Sequence, residues 1–213
     1  MDITFQKIMP KPLASIQHQK DSIWGNEFVL KQGNKILLNA SSGKGKSTFT
    51  NVILGLRKDF EGKLLYDNKD TSELESTDWT KIRQKEIAVV FQDLQLFPTL
   101  TVKENLQLKS NLTNAFGDAE LLDMLKTLEI EDKWNQSCGL LSMGQQQRVA
   151  IVRALAQPFK WLILDEPFSH LDEANAQRAL KLINERCDQL QAGFVLTSLG
   201  DSHQFNYDQE LKL

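Results

Sequence analysis

The chain has 213 residues, 41% hydrophobic and 25% charged, which suits one well-buried core, or a core with a small inserted lobe, rather than a disordered or fibrous chain. Lys and Arg total 25 against 28 Asp and Glu, a formal charge of −3, so no global attraction to DNA, RNA or anionic lipid is expected. The longest apolar run, Ile87–Phe91, is far short of the about 20 residues that a membrane-spanning helix needs. The first 17 residues hold no apolar stretch of signal-peptide type. Cys138 and Cys187 alone make neither a disulfide framework nor a multi-cysteine metal site. A reducing, cytoplasmic setting without direct membrane insertion is the expectation, and His18, His170 and His203 form no spaced ligand motif.

In chain order, the first 35 residues read as short strands and turns, with Phe28–Leu30 as a strand core and Gly25-Asn26 and Gly33-Asn34 as punctuation. Lys35–Asn39 is a short apolar strand. Ser47–Leu56 reads as a helix whose apolar stripe is Phe49, Val52, Ile53 and Leu56. Leu64–Tyr66 is a strand ending at the turn pair Asp67-Asn68. Ile87–Phe91 is continuously apolar, as a strand covered on both faces should be. From about 101 to 137 the chain looks helical, with Leu121, Leu122, Leu125 and Leu128 as its buried stripe. Ser142–Ala156 is another helix, stopped with the help of Pro158. Trp161–Leu164 is a fully apolar strand, Glu173–Leu190 a helix facing inward through Leu180, Ile183 and Cys187, and Phe194–Thr197 a further strand. Phe205–Tyr207 and Glu210–Leu213 read as one or two terminal strands. Strands alternating with helices imply an α/β fold with a mainly parallel sheet, whose ligands belong beyond the carboxyl ends of its strands.

The strongest chemical signal is the run from Ala40 to Thr48, placed between an apolar strand and a helix as a phosphate-binding loop requires. Ser41, Ser42, Gly43, Lys44, Gly45, Lys46, Ser47 and Thr48 are its binding residues. The two glycines let successive N–H groups converge on phosphate oxygens, and the helix N-terminus adds donors and a favourable field. Lys46 reaches the β/γ-phosphates and the Ser47 hydroxyl suits Mg²⁺. Ala40 stands where the pattern usually has glycine; it costs roughly 1 kcal/mol or more only if the backbone there needs a positive φ.

Trp161–Leu164 then runs into two adjacent carboxylates, Asp165 and Glu166. A carboxylate at the end of a buried strand suits Mg²⁺ held through its water shell, and Glu166 can polarise, or take a proton from, an attacking water. Ser142 and Gln145 have capping-box spacing, so the stretch from Leu141 to Arg148 should open a helix that presents the serine hydroxyl and the Gly144 N–H to an anion.

With these motifs in order, the chain from about 28 to 200 resembles the nucleotide-binding subunits of ABC transporters. Leu141–Arg148 looks like their signature motif, with Met143 where a second glycine is usual. Gln92 resembles the glutamine that touches Mg²⁺ and the attacking water while facing the transmembrane partner. Residues 169–172 resemble the loop that crosses the dimer interface. The stretch from Phe97 to Asn105 is similar to the lipoprotein-releasing, macrolide-efflux and cell-division branches.

The resemblance implies one P-loop domain over 1–213, with an N-terminal antiparallel β region, a core lobe of 1–91 and 146–213, and a helical subdomain of 92–145. It implies ATP and Mg²⁺ as cofactors, with Ser47, Gln92 and Asp165 at the metal. The partners are a second copy or paired subunit, standing head to tail so that 40–48 of one and 142–145 of the other enclose each ATP, and a transmembrane permease. The location is then peripheral, on the cytoplasmic face of the inner membrane. Closure drives the partner and hydrolysis resets it, with Glu166, Gln92 and Lys46 as catalytic residues.

Ser198 stands where that family usually has a histidine at the γ-phosphate. With Ala40 and Met143 it leads us to expect a working but slow ATPase. His203 is read as a solvated loop residue, although it lies only five positions on. Trp24, and less so Phe5, are candidates to stack on adenine. The extension often found after the last strand is not seen. Competing readings are a non-hydrolysing ATP-dependent clamp and a soluble protein acting on nucleic acid or ribosomes, which would usually carry two nucleotide domains or long coiled coils. A P-loop kinase would lack the motifs at 141–148 and 165–172.

Overall fold

The computed structural model describes residues 1–39, 41, 43–200 and 202–213; Ala40, Ser42 and Asp201, the first two named above, lie outside the described residues. In chain order the strands are β1 (Ile3–Pro10), β2 (Glu27–Leu30), β3 (Lys35–Asn39), β4 (Phe60–Tyr66), β5 (Lys69–Asp70), β6 (Ile87–Val90), β7 (Trp161–Asp165), β8 (Gly193–Ser198) and β9 (Gln209–Lys212). The helices are α1 (Lys46–Ile53), α2 (Ser76–Lys85), α3 (Val102–Thr113), α4 (Asp118–Thr127), α5 (Met143–Leu155) and α6 (Glu173–Leu190). Strands β2-β1-β4-β5 form an antiparallel sheet and β6-β7-β8-β3-β9 a parallel one. The fold class is therefore α/β, as the alternating pattern implies.

Side-chain alternation along the parallel strands explains the layering. Successive residues of a strand point to opposite faces. Ile36, Leu38, Trp161, Ile163 and Val195 join one apolar cluster, with α1 and the antiparallel sheet. Leu37, Leu162, Leu164, Phe194 and Leu196 join the other, with α3 to α6. Both faces are covered, so β3, β7 and β8 carry continuous apolar runs, and each run ends in polar residues at one edge of the sheet.

Several expectations change. The helix after the glycine-rich loop stops at Ile53, and Leu56 is 55% exposed instead of completing the stripe. The Gly55 turn (φ +63) brings the chain round before another helical turn can form. The helical stretch 101–137 is mainly two helices, broken at Asn114 (φ 50), and Met124 takes the stripe position beside Leu121, Leu125 and Leu128 while Leu122 is only half-buried. Phe205–Tyr207 is not a strand: the two rings pack on Phe194, with centroids 5.6 and 6.2 Å away. Helix α2 was not expected, because its sequence is polar; a reciprocal cap between Glu75 and Asp78 starts it and the buried Trp79 anchors it.

Cys138 and Cys187 are 1% and 0% exposed. Burial pushes the Cys138 thiol up to about 11 and the Cys187 thiol up to about 12, so both stay neutral and poorly nucleophilic near neutral pH. We expect neither to react with a thiol reagent at mildly alkaline pH in the folded protein, and both to react in denaturant. Rapid native labelling at either position would contradict this packing.

Candidate functional site

The site is built where β3, β7 and β8 end side by side. The loop leaving β3 enters α1 through Gly45, whose φ of 106 lies in the left-handed region. A Cβ there would sit 2.6 Å from Leu13 Cδ1 and 3.1 Å from Trp24 Nε1, so only glycine fits. Trp24 donates its indole N–H to the Lys44 carbonyl at 3.2 Å and is 3% exposed. It therefore props the loop from below and is not available to stack on a base. Phe5 is fully buried and stacks on Phe28 and Phe49, which removes it too.

Lys46 opens α1 and is almost fully buried. Its Nζ lies 3.1 Å from Glu166 Oε1 and donates to the Ser41 carbonyl at 3.4 Å. Asp165 ends β7 opposite Thr197 of β8. The Thr197 hydroxyl donates to Asp165 Oδ1 at 2.9 Å and accepts from the Glu166 N–H at 3.1 Å, using both capacities of a hydroxyl. Burial pushes the Asp165 carboxyl above its usual range; hydrogen bonds from Ser47 and Thr197 oppose this, Glu166 adds to it, and Lys46 again opposes it. Glu166 takes φ 49, a conformation costing a non-glycine residue about 1–2 kcal/mol. That turn coincides with the Glu166 carboxylate lying against Lys46.

A cavity of about 940 Å³ opens beside these groups, lined by Ser47, Gln92 and Asp165 together with Asp93, Lys109 and Arg153. Gln92 is exposed at its rim. Arg153 donates to the carbonyls of Leu94 (2.6 Å) and Gln95 (2.7 Å), both at positive φ, and so fixes the segment that follows Gln92. Leu94 is buried there, whereas Phe97 is exposed.

Ser142 caps α5 as its spacing predicts: its Oγ accepts from Gln145 N at 3.3 Å, and Gln145 Oε1 accepts from Ser142 N at 2.9 Å. Gly144 lies against the 169–172 loop, where an added Cβ would come 2.8 Å from the His170 carbonyl oxygen. Gln147, which the sequence reading passed over, is 1% exposed. It donates to Ser169 Oγ at 2.9 Å and accepts from His170 N at 3.0 Å, latching α5 to that loop. The structure does not bring Ser142, Gly144 or Gln145 to the cavity of their own chain. Ser198, at the end of β8, lines a second cavity of about 230 Å³ with Glu166, Phe168, Glu173 and His203. His203 is thus not a solvated loop residue, and only 13% of its side chain is exposed.

Lys46, Ser47, Gln92, Asp165, Glu166 and Ser198 are therefore brought to one edge of the sheet, and Gly43, Lys44 and Thr48 flank them in sequence. Sequence reasoning missed Thr197 and Gln147 as organisers; a polar residue inside an apolar helix face was the available signal for Gln147. Among the described residues no group of three or more His, Cys, Asp or Glu could hold a metal by itself.

The family model described as ABC transporter matches residues 25–169. An uncharacterised ABC transporter ATP-binding protein of Methanocaldococcus jannaschii, MJ0796, is 36% identical over 163 residues, 73% of this chain and 69% of its own. The lipoprotein-releasing system ATP-binding protein LolD of Buchnera aphidicola is 32% identical over 172 residues, 79% of this chain and 75% of its own. The dimeric structure of MJ0796 superposes with a TM-score of 0.82 at 29% identity, covering 99% of this chain and 94% of that one. A post-hydrolysis dimer of MJ0796 bound to ADP and Pi gives a TM-score of 0.76 at 30% identity, covering 92% and 87%.

Replacing Thr197 with valine keeps the shape but leaves the Glu166 N–H without its acceptor and takes from Asp165 one of its hydroxyl donors, Ser47 remaining. Urea unfolding should show a loss of about 1–3 kcal/mol; an unchanged midpoint would mean that the bridge carries no energy.

Proposed function

The chain belongs to the ABC transporter family, and we propose on that premise that two copies close on ATP, hydrolyse it and drive a transmembrane partner. It is an ATP-binding cassette and an ATPase. The observation that carries the mechanism is the Lys46–Glu166 ion pair beside the Ser47–Asp165 contact. Phosphate oxygens entering the loop compete with Glu166 for Lys46. Binding then frees the Glu166 carboxylate to align and polarise a water, while backbone N–H groups of 43–47 and Lys46 stabilise the terminal phosphates.

The composite site is proposed from the start of α5. Ser142 is exposed at that helix N-terminus, together with Gly144 and Gln145, and does not line its own chain's cavity. A second copy placed head to tail brings a helix N-terminus to the terminal phosphate of the first, and the MJ0796 dimers are consistent with such pairing. Gln147 would pass the closure to 169–170 and so to Glu166.

We place Mg²⁺ at Ser47, Gln92 and Asp165, three oxygen donors on one cavity. Among the described residues no acidic cluster would hold it alone, so phosphate oxygens would complete the set. When bound there, the ion would neutralise charge on the phosphate oxygens. Residues 92–145 are proposed as a helical subdomain, tied to the core lobe of 1–91 and 146–213 by α5 and the Arg153 latch.

The partner surface is proposed at the rim of the large cavity, where Phe97 is 53% exposed, as the likeness to transporter subunits suggests. Among the described residues no helix is long and apolar enough to cross a membrane, so attachment to the cytoplasmic face would come through that partner.

Ser198 leaves the end of β8 with a short neutral hydroxyl, and turnover is proposed to be slow for that reason. Single-turnover hydrolysis by purified protein should exceed that of Glu166→Gln by at least about a hundredfold, while Glu166→Gln retains ATP and dimerises. Equal rates would replace the hydrolytic reading with that of an ATP-dependent clamp.

A further inference from the structure

A third cavity, of about 350 Å³, plays no part in the site described above. It lies at the far end of α1, between the Gly55 turn, β4, the Asp70–Ser72 segment and α2, and Val52, Leu64 and Trp79 give it an apolar wall. Helix α1 begins at the phosphate-binding loop, so its length, about 12 Å, separates the two places. Small-molecule sites start at about 300 Å³ and are mostly apolar with a few placed polar groups. Two polar groups of this wall lack a hydrogen bond. Trp79 is 4% exposed, and its indole N–H has no partner among the described residues. Its ring is fixed edge-on to Tyr66, with centroids 6.0 Å apart, and beneath the Arg83 guanidinium at 5.3 Å. The edge that carries the N–H faces the Gly55 turn, where an added Cβ would lie 2.6 Å from the Trp79 Cε2. Thr71 is 8% exposed, and its hydroxyl likewise makes no hydrogen bond among the described residues. Buried polar groups are nearly always paired, so two without partners at one cavity point to something that enters it.

The rim is basic, with Arg57, Lys58 and Lys63 around the opening. Arg57 pairs with Asp59 at 3.1 Å and Lys63 with Asp70 at 3.4 Å. Asp70 is further committed, since it accepts from the Ser72 N–H and hydroxyl at 2.9 and 2.8 Å. Lys58 is exposed and makes no ion pair among the described residues. Three cations against two engaged carboxylates leave a positive field over an apolar cavity. The carbonyls at the end of α1, which would otherwise repel an anion, are taken: Ile53 accepts from the Tyr66 hydroxyl, and Leu54 from Arg83 Nε at 3.0 Å.

We propose that this cavity binds a small amphipathic anion, an apolar body carrying a phosphate or carboxylate, at a site separate from the nucleotide loop. The apolar body lies against Val52, Leu64 and the Trp79 ring. The anionic oxygens accept from the Thr71 hydroxyl and sit in the field of Lys58, and a hydrogen bond to an ionised group is stronger than one between neutral groups. A neutral molecule of the same shape gains the apolar contacts but not the field. The inference does not depend on the ATPase reading given above.

The chain has four tryptophans, so its indole N–H signals are few enough to follow by NMR in the full-length ¹⁵N-labelled protein, with Trp79→Phe and Trp24→Phe identifying two of them. Phenyl phosphate, phenylacetate and neutral benzyl alcohol are titrated in turn with ADP present. At least one of the two anions should shift the Trp79 signal to saturation, with a Kd of about 1 mM or tighter, and benzyl alcohol should bind at least about tenfold more weakly. Lys58→Glu, a change on an exposed side chain, and Thr71→Val, which keeps the shape, should each weaken the anion at least about fivefold. No saturable shift with either anion, or an equal response to benzyl alcohol, would overturn the proposal. So would affinity unchanged in both variants. A shift confined to Trp24, whose indole bonds to the Lys44 carbonyl, would assign the anion to the nucleotide loop and overturn it as well.

Discussion

A lysine with 7% of its side chain exposed, 3.1 Å from a glutamate with 15% exposed, constrains everything around it. Charges so far from water are tolerable only when paired and hydrogen-bonded. Lys46 meets that condition because α1 starts on a left-handed glycine that delivers it to the sheet edge. Glu166 meets it because the chain turns back sharply after β7. The pair also has a chemical consequence: one cation held between two sets of oxygens is a switch, since an incoming phosphate and the glutamate cannot both have its full attention.

The surrounding structure connects that switch to surfaces on either side. Thr197 ties the ends of β7 and β8, so the acid pair moves with the sheet and not with a loop. Gln147 ties α5 to the loop after the acid pair through hydrogen bonds with Ser169 and His170, and its amide also donates to the Glu166 carbonyl at 3.4 Å. Arg153, further along the same helix, fixes the backbone after Gln92. Helix α5 thus touches both the proposed dimer face and the proposed partner face. Its burial against α3, α4 and the sheet makes it a rigid strut between them.

Much of this was legible in the residues. The apolar strands ending in polar groups, the loop at 43–48, the capping box at 142–145 and the long helix of 173–190 all follow from periodicity and end signals, and the structure has each of them. What was not legible depends on contacts between distant segments. Trp24, an aromatic beside a glycine turn, is a candidate to stack on adenine by sequence, whereas its indole is claimed by the Lys44 carbonyl. Leu56 fits a helical stripe by spacing, but the chain leaves the helix before reaching it. His203 reads as solvated because its immediate neighbours, Ser202 and Gln204, are polar; the ring that shelters it, Phe168, comes 35 residues earlier. Helix α2 has almost no periodic signal, since only Trp79 among its residues is buried.

The central claim is that each nucleotide site is completed by a second copy of the chain. Two variants test it most directly when mixed: Lys46→Ala, which loses the phosphate-binding lysine, and Ser142→Arg, which blocks the helix start. Each alone should fail to dimerise in ATP on a sizing column and fail to hydrolyse it. Their mixture contains pairs with one intact composite site, and the account predicts ATP-dependent dimers with partial hydrolysis. A mixture as inert as its components, or full activity in Ser142→Arg alone, would contradict it.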